Sequence, residues 1–377
     1  MRRCPLFPIR PASRYRGNAP RIIHLAWTAA AILMLALVSP FAAEHAASGG
    51  EPVVAQAAAG KDAQAVDLAA CQTSAEFTPK LMIAYGAYHP RKQQPTIYFY
   101  QHDGESRGKV VGEIKSEPKR SDYHPALSAD GKLCAFAAEW ENETSRIQVW
   151  DIGQQKLLEL PDINKSPNAQ LHAAMGGDGK LVAFAAWRHP ESDGRWDVLL
   201  YDVAGKRRLP LPGLNSQPLD ERMPALSADG RVLAYCSNDQ AGLGATDIFF
   251  YDIAAGQPVY DERLNSTRAD IEPSLSADGN LVAFVSDRRG GDGGRDIYLF
   301  DRSTREMIPL PGLNSVAHEQ SPSLSADSRY IAFVSERTAG EGERDVFLYD
   351  RQAAKLLPTP GLNGKHEDID PSVIVLP

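Results

Sequence analysis

The chain has 377 residues, 43% of them hydrophobic, with 48 acidic against 40 basic side chains and a net charge of −8. Residues 1–48 hold six Arg and one Glu, so the remainder carries 34 basic and 47 acidic groups, a net −13. A surface of that sign repels phosphate backbones, which argues against nucleic acid as a partner.

At the N-terminus, Arg2, Arg3, Arg10, Arg14, Arg16 and Arg21 precede an uncharged apolar stretch from Leu25 to Val38, followed by small residues through Ala46-Ala47-Ser48. This is the order of zones in an export signal. The apolar stretch is shorter than the roughly 20 residues a membrane span needs, although Ile22 to Ala43 taken together would serve as an uncleaved anchor. The expectation is an exported protein, periplasmic or secreted, with residues 1–48 either cleaved or kept as an inner-membrane anchor, its one expected membrane contact. Residues 49–79 are Ala-rich with no sustained apolar face and read as a tether. Cys71, Cys134 and Cys236 follow the signal, an odd number without paired spacing, so no disulfide framework is expected. Cys134 and Cys236 fall inside apolar runs and read as core.

From residue 80 the chain repeats itself. Ala followed by an aromatic recurs at Ala84-Tyr85, Ala135-Phe136, Ala183-Phe184, Ala234-Tyr235, Ala283-Phe284 and Ala332-Phe333, spaced by 51, 48, 51, 49 and 49 residues. A period of about 20–50 residues marks a repeat architecture. Each copy reads as four short strands: a P-[AS]-L-S segment, a run such as "LVAFVS", a run such as "DIYLF" closing on Asp, and a weaker fourth. The S-A-D-G turn between the first two uses Ser and Asp side chains on nearby amides and Gly for a positive φ. Apolar residues at consecutive positions of the middle strands require both sheet faces to be covered, which radial packing of small sheets provides. The fold expected for 80–377 is therefore all-β, a six-bladed β-propeller of four-stranded antiparallel blades. The earliest copy has no first strand, while "DPSVIVLP" at the C-terminus supplies one, with Pro371 49 residues after Pro322. That C-terminal strand is expected to complete the N-terminal blade and close the ring as a monomer.

The string P-x-L-S-A-D-G-x-x-[IVL]-A-[FY]-x-S followed by D-I-[FY]-x-[FY]-D resembles the TolB-type propeller repeat, also called PD40 or WD40-like, over residues 80–377. The "PGLN" connections at Pro212–Asn215, Pro311–Asn314 and Pro360–Asn363 are similar to those of Tol-like periplasmic proteins. The resemblance implies an envelope protein whose propeller binds a protein partner, a peptidoglycan-associated or other envelope protein. It also implies an α/β domain before the propeller; residues 49–79 are too few to bury such a core, so the propeller alone is the inherited part.

The motifs H-E-x-x-H, C-x-x-C and a Gly-rich phosphate loop are absent; G-x-S-x-G occurs once, at Gly104–Gly108, in the turn after the strand run "TIYFY" rather than between a strand and a helix, where a nucleophile elbow would sit. The expectation is a non-catalytic binding or scaffold module without a cofactor; the alternative on this fold is a lactonase-like periplasmic hydrolase with a channel metal. Strand alternation puts the S-A-D-G turns on one face and the longer, less uniform second-to-third loops on the other, where recognition is expected. Trp140, Trp187, Arg188 and His189 are its candidate partner anchors. Three residues before the repeated Pro position, which is Ala173 in one copy, stand Asp122, Gln170, Glu221, Asp270, Glu319 and Asp368; one residue before it stand His124, His172, Met223, Glu272, Ser321 and Asp370. Both sets are expected at the channel mouth. The acids there read either as acceptors of backbone and Arg hydrogen bonds or as a funnel for Ca²⁺ or a basic protein segment.

Overall fold

In the stretch Leu281–Ser286, five consecutive residues are buried, as a strand covered on both faces requires. The computed structural model describes residues 78, 80–88, 94–115, 117–141, 143–187, 196–215, 219–239 and 241–377. The signal-or-anchor reading of 1–48 and, but for residue 78, the tether reading of 49–79 lie outside them.

The described strands form six four-stranded sheets. The first contains β1 (Leu81–Ala87), β2 (Thr96–His102) and β3 (Gly108–Glu113). The second contains β4 (Arg120–Leu127), β5 (Leu133–Trp140), β6 (Arg146–Asp151) and β7 (Lys156–Leu157). A four-residue helix, α1 (Pro161–Asn164), leads to the third: β8 (Gln170–Met175), β9 (Leu181–Trp187), β10 (Trp196–Asp202) and β11 (Arg207–Leu209). The fourth holds β12 (Glu221–Leu226), β13 (Val232–Ser237), β14 (Asp247–Asp252) and β15 (Gln257–Tyr260). The fifth holds β16 (Asp270–Leu275), β17 (Leu281–Ser286), β18 (Asp296–Asp301) and β19 (Glu306–Ile308). The sixth holds β20 (Glu319–Leu324), β21 (Tyr330–Ser335), β22 (Asp345–Asp350) and β23 (Lys355–Leu357). Last comes β24 (Asp368–Val375), which pairs antiparallel with β1 and completes the first blade. The fold is the six-bladed propeller expected, with its C-terminal clasp.

The repeated Ala-aromatic pair explains the packing between blades. Successive residues of a strand point to opposite faces, so Ala283 and Phe284 look toward different neighbours. Phe284 packs in a cluster with Ala234, Cys236 and Phe250 of the fourth blade. Ala283 belongs to the next cluster, where Phe333 of the sixth blade fills the gap. A ring from one sheet thus meets a methyl from the next, and the same arrangement recurs around the ring. Cys134 and Cys236 are free and buried in these clusters.

The S-A-D-G turns do what their chemistry dictates. Ser128 Oγ donates to Asp130 Oδ1 at 2.7 Å and accepts from the Leu133 amide at 3.0 Å, with Gly131 at φ +69°. Ser227, Ser276 and Ser325 repeat the bond to their own Asp. These turns also bond to one another across blades: the Ala129 amide donates to Gly177 O, Gly177 to Ala228 O, Asp229 to Ala277 O and Ala277 to Ala326 O, at 2.9–3.2 Å. A backbone collar therefore gathers five blades at this end of the channel.

Candidate functional site

The long second-to-third loops share the opposite face with the blade-to-blade connections. In blades 4–6 these loops are one device. Gly244, Gly293 and Gly342 donate their amides to Asp247, Asp296 and Asp345 at 2.9, 3.2 and 3.0 Å. A Cβ on any of these glycines would collide with a carbonyl of the neighbouring connection, at Arg268, Ala317 or His366. The next first strand then docks beside the loop, with the Asp270, Glu319 and Asp368 amides donating to Thr246, Arg295 and Arg344 carbonyls. The spacing G-x-G-x-x-D recurs every 49 residues, so these three loops are less variable than their sequences suggest.

The connections hold a second repeated device. Asn215, Asn265, Asn314 and Asn363 each accept the amide of Val198, Ile248, Ile297 or Val346 through Oδ1 at 2.8–2.9 Å. Each returns a hydrogen bond from Nδ2 to the carbonyl of that same residue. These are the Asn of the "PGLN" segments and one further copy, a role the sequence reading did not assign. Helix α1 replaces the connection between blades 2 and 3. There Asn164 Nδ2 reaches Ile147 O, while the Ile147 amide goes to Gln170 Oε1. The departure to Gln at position 170 thus has a local cause.

The structure divides the two residue sets expected at the channel mouth. Asp122, Glu221, Asp270, Glu319 and Asp368 are only 0–4% exposed and lie in the blade junctions. Arg120 reaches Asp122 at 2.8 and 3.0 Å. Arg288 reaches Asp270 at 2.6 Å, and Ser266 bonds its other oxygen. Arg337, Ser315 and Ser335 converge on Glu319.

The second set lies one residue before the repeated Pro position, and its side chains meet across blades. His124, His172, Met223, Glu272, Ser321 and Asp370 all take left-handed backbone, φ +50° to +55°. Each opens a β-bulge in its strand, as between Tyr123 and Ala126, and a bulge re-aims a side chain. The His124 and His172 rings lie 4.6 Å apart; His124 Nε2 is 3.7 Å from Asp370; Ser321 Oγ donates to Asp370 and its amide to Glu272. Burial, with the charges of His124 and Arg222, lowers the His172 pKa well below its ordinary value, and burial raises Glu272. Among the described residues no three His, Cys, Asp or Glu side chains converge as a metal site requires. Below this ring the channel is lined by small and apolar residues of the first strands, Pro125, Ala174, Ser274 and Leu324 among them.

Of the anchor candidates, Trp140 is half-buried; its indole N–H donates to Glu117, and Arg120 and Arg146 sit 5.8 and 5.9 Å from its ring. Trp187 is half-buried and meets Trp196 edge-on at 5.4 Å. Arg188 and His189 lie outside the described residues.

Asp368 carries a pH dependence. Burial, with the charges of Asp345 and Glu341 adding, pushes its carboxyl up to about 7. In the unfolded chain it ionises near pH 4. The group's contribution to stability is therefore full below about pH 4 and falls as the unfolded chain ionises first. The loss is complete above about 7. Asp368→Asn should melt level with wild type near pH 4 and above it near pH 8. Equal melting at both pH values would show that Asp368 ionises normally.

No family model and no curated protein matches the chain by sequence. Solved structures do. TolB from Acinetobacter baumannii superposes with a TM-score of 0.56 at 18% identity, covering 78% of this chain and 66% of that one. A putative TolB from Agrobacterium tumefaciens gives 0.48 at 16% identity, covering 80% and 100%. An oligogalacturonate lyase in complex with manganese gives 0.47 at 11%, covering 73% and 77%. The likeness to TolB is one of fold, and it agrees with the resemblance carried by the repeats. Among the described residues no helix is long and apolar enough to cross a membrane.

Proposed function

We propose that this propeller is an exported, non-catalytic binding module of the bacterial envelope, periplasmic or secreted, that engages a protein partner through its long-loop face. The observation that carries the reading is the asymmetry of that face. Blades 4–6 close their loops with one shared glycine-aspartate device. The sequences of blades 1–3 lack its G-x-G-x-x-D spacing, and blades 2 and 3 place Trp140 and Trp187 where their second strands end. A rigid ring with one divergent sector suits recognition, and a peptidoglycan-associated protein is a candidate partner.

The alternative is a periplasmic hydrolase with a metal such as Ca²⁺ in the channel. It draws on His124 and His172, whose Nδ1 atoms are buried without a hydrogen-bond partner among the described residues. Crosslinking in cells followed by mass spectrometry, beside a hydrolase substrate panel and calorimetry with Ca²⁺, separates the two. A specific protein captured by wild type and lost on Trp140→Ala and Trp187→Ala supports the binding module. Turnover that disappears on His124→Ala would replace it with the hydrolase.

A further inference from the structure

In blade 5, Arg288 lies with its guanidinium carbon 5.0 Å from the Phe284 ring centre and 4.6 Å from that of Tyr298. It donates to Ser286 Oγ, Leu264 O and Asp270. In blade 6, Arg337 repeats this at 5.2 Å from Phe333 and 4.8 Å from Phe347, donating to Ser335 Oγ, Leu313 O and Glu319. Two aromatic faces, a hydroxyl, a carbonyl and a carboxylate thus form a guanidinium socket, filled twice by the chain itself.

Blade 4 has the same socket, and among the described residues no arginine fills it. Moving back 49 residues from blade 5, Phe284 becomes Tyr235, Tyr298 becomes Phe249, Ser286 becomes Ser237, Asp270 becomes Glu221, and Arg288 becomes Asp239. The backbone is the same in all three: the amides of Asp239, Arg288 and Arg337 each donate to the preceding Ser hydroxyl at 3.2 Å. The Asp239 carboxylate turns to its own loop and accepts the Ala241 amide. Where the guanidinium would lie is a cavity of about 170 Å³, lined by Leu214, Glu221, Tyr235, Ser237, Asp239 and Phe249, with Tyr260 adding a third ring. That is several times the roughly 30 Å³ a water molecule occupies. The nearby Arg222 is engaged elsewhere, on Asp220 and over Trp196.

We infer that this blade 4 cavity is a receptor for an arginine side chain presented by the partner protein. The identification rests on the binding-module reading for its partner, and on the two filled copies for its chemistry. A planar guanidinium stacks flat between rings and presents a rigid fork of donors to several acceptors, whereas a lysine ammonium is a compact point charge with no plane to stack. Two carboxylates at the wall supply the charge a free arginine needs.

The probe is N-acetyl-arginine amide, followed by NMR shifts of the cavity aromatics, with the lysine and citrulline amides as comparisons. Citrulline keeps the shape and loses the charge, so it should bind about tenfold more weakly or worse. Asp239→Arg should fill the socket from within, raising the melting temperature and abolishing arginine amide binding. Should that variant fail to fold, Glu221→Gln serves instead, with binding weakened about tenfold. Citrulline binding as well as arginine, or wild type binding neither, overturns the inference. Undiminished capture of the crosslinked partner by Asp239→Arg also overturns it and leaves the binding module standing. Arginine amide binding with no partner captured by either protein keeps the socket and removes the binding module.

Discussion

A chain shortened by residues 367–377 should lose the single cooperative melting transition of the full ring. The deletion removes β24, and with it the inner strand of blade 1 and its register with β1 from Leu81–Val375 to Ala87–Asp368. Val373 leaves the cluster shared with blade 6, and Ile374 leaves the cluster shared with blade 2. Burying such side chains is worth about 1.5–3 kcal/mol each. The hydroxyl of Ser372, which accepts the Leu127 amide, and the Val373 amide, which donates to Ser323, join the clasp to both neighbours. The summed loss is several kcal/mol against a typical margin of about 5–15. Calorimetry of the truncated chain is the measurement, and a transition at the wild-type temperature would refute the role of β24 as the clasp.

The second large effect belongs to the buried pair of Arg120 and Asp122, 1% and 0% exposed. Arg120 also donates to the Lys115 carbonyl at 3.1 Å and stacks over Phe136. Asp122→Asn removes the buried counter-charge and leaves the guanidinium only the exposed Glu117 at 3.7 Å, which costs about 3 kcal/mol, the low end for breaking a buried pair. The double change Arg120→Met with Asp122→Leu should recover most of that, because an apolar pair of similar volume is often neutral. Denaturant unfolding of Arg120→Met, Asp122→Leu and the double measures the coupling. A single change costing under about 1 kcal/mol would place Asp122 outside the clamp, as an exposed surface pair is.

The repeat period and turn chemistry made the architecture legible because both are local: S-A-D-G folds on itself, and Ala-Phe pairs need only a neighbour of the same kind. The channel mouth was less legible. Asp270 and Glu272 are two apart, and in a regular strand they would share a face. The bulge at Glu272 breaks that alternation, and the two side chains part, one into the junction with Arg288 and the other toward Ser321. A bulge carried by residues other than glycine leaves no compositional mark. The empty socket did leave one: Asp239 stands in phase with two arginines, and only a comparison of loop ends, rather than strands, reveals it.

The clasp has a further consequence. The Leu376 amide donates to the Lys80 carbonyl at 2.7 Å, so the propeller's first and last strands end side by side at the collar face. A short linker there would put β24 directly before β1 in sequence, making every blade contiguous. The ring could then be opened within any blade-to-blade connection, and the resulting circular permutant would enclose the same clusters with no shared blade at all. Cyclic order, rather than the position of the chain ends, is what the packing of alanine against aromatic ring specifies.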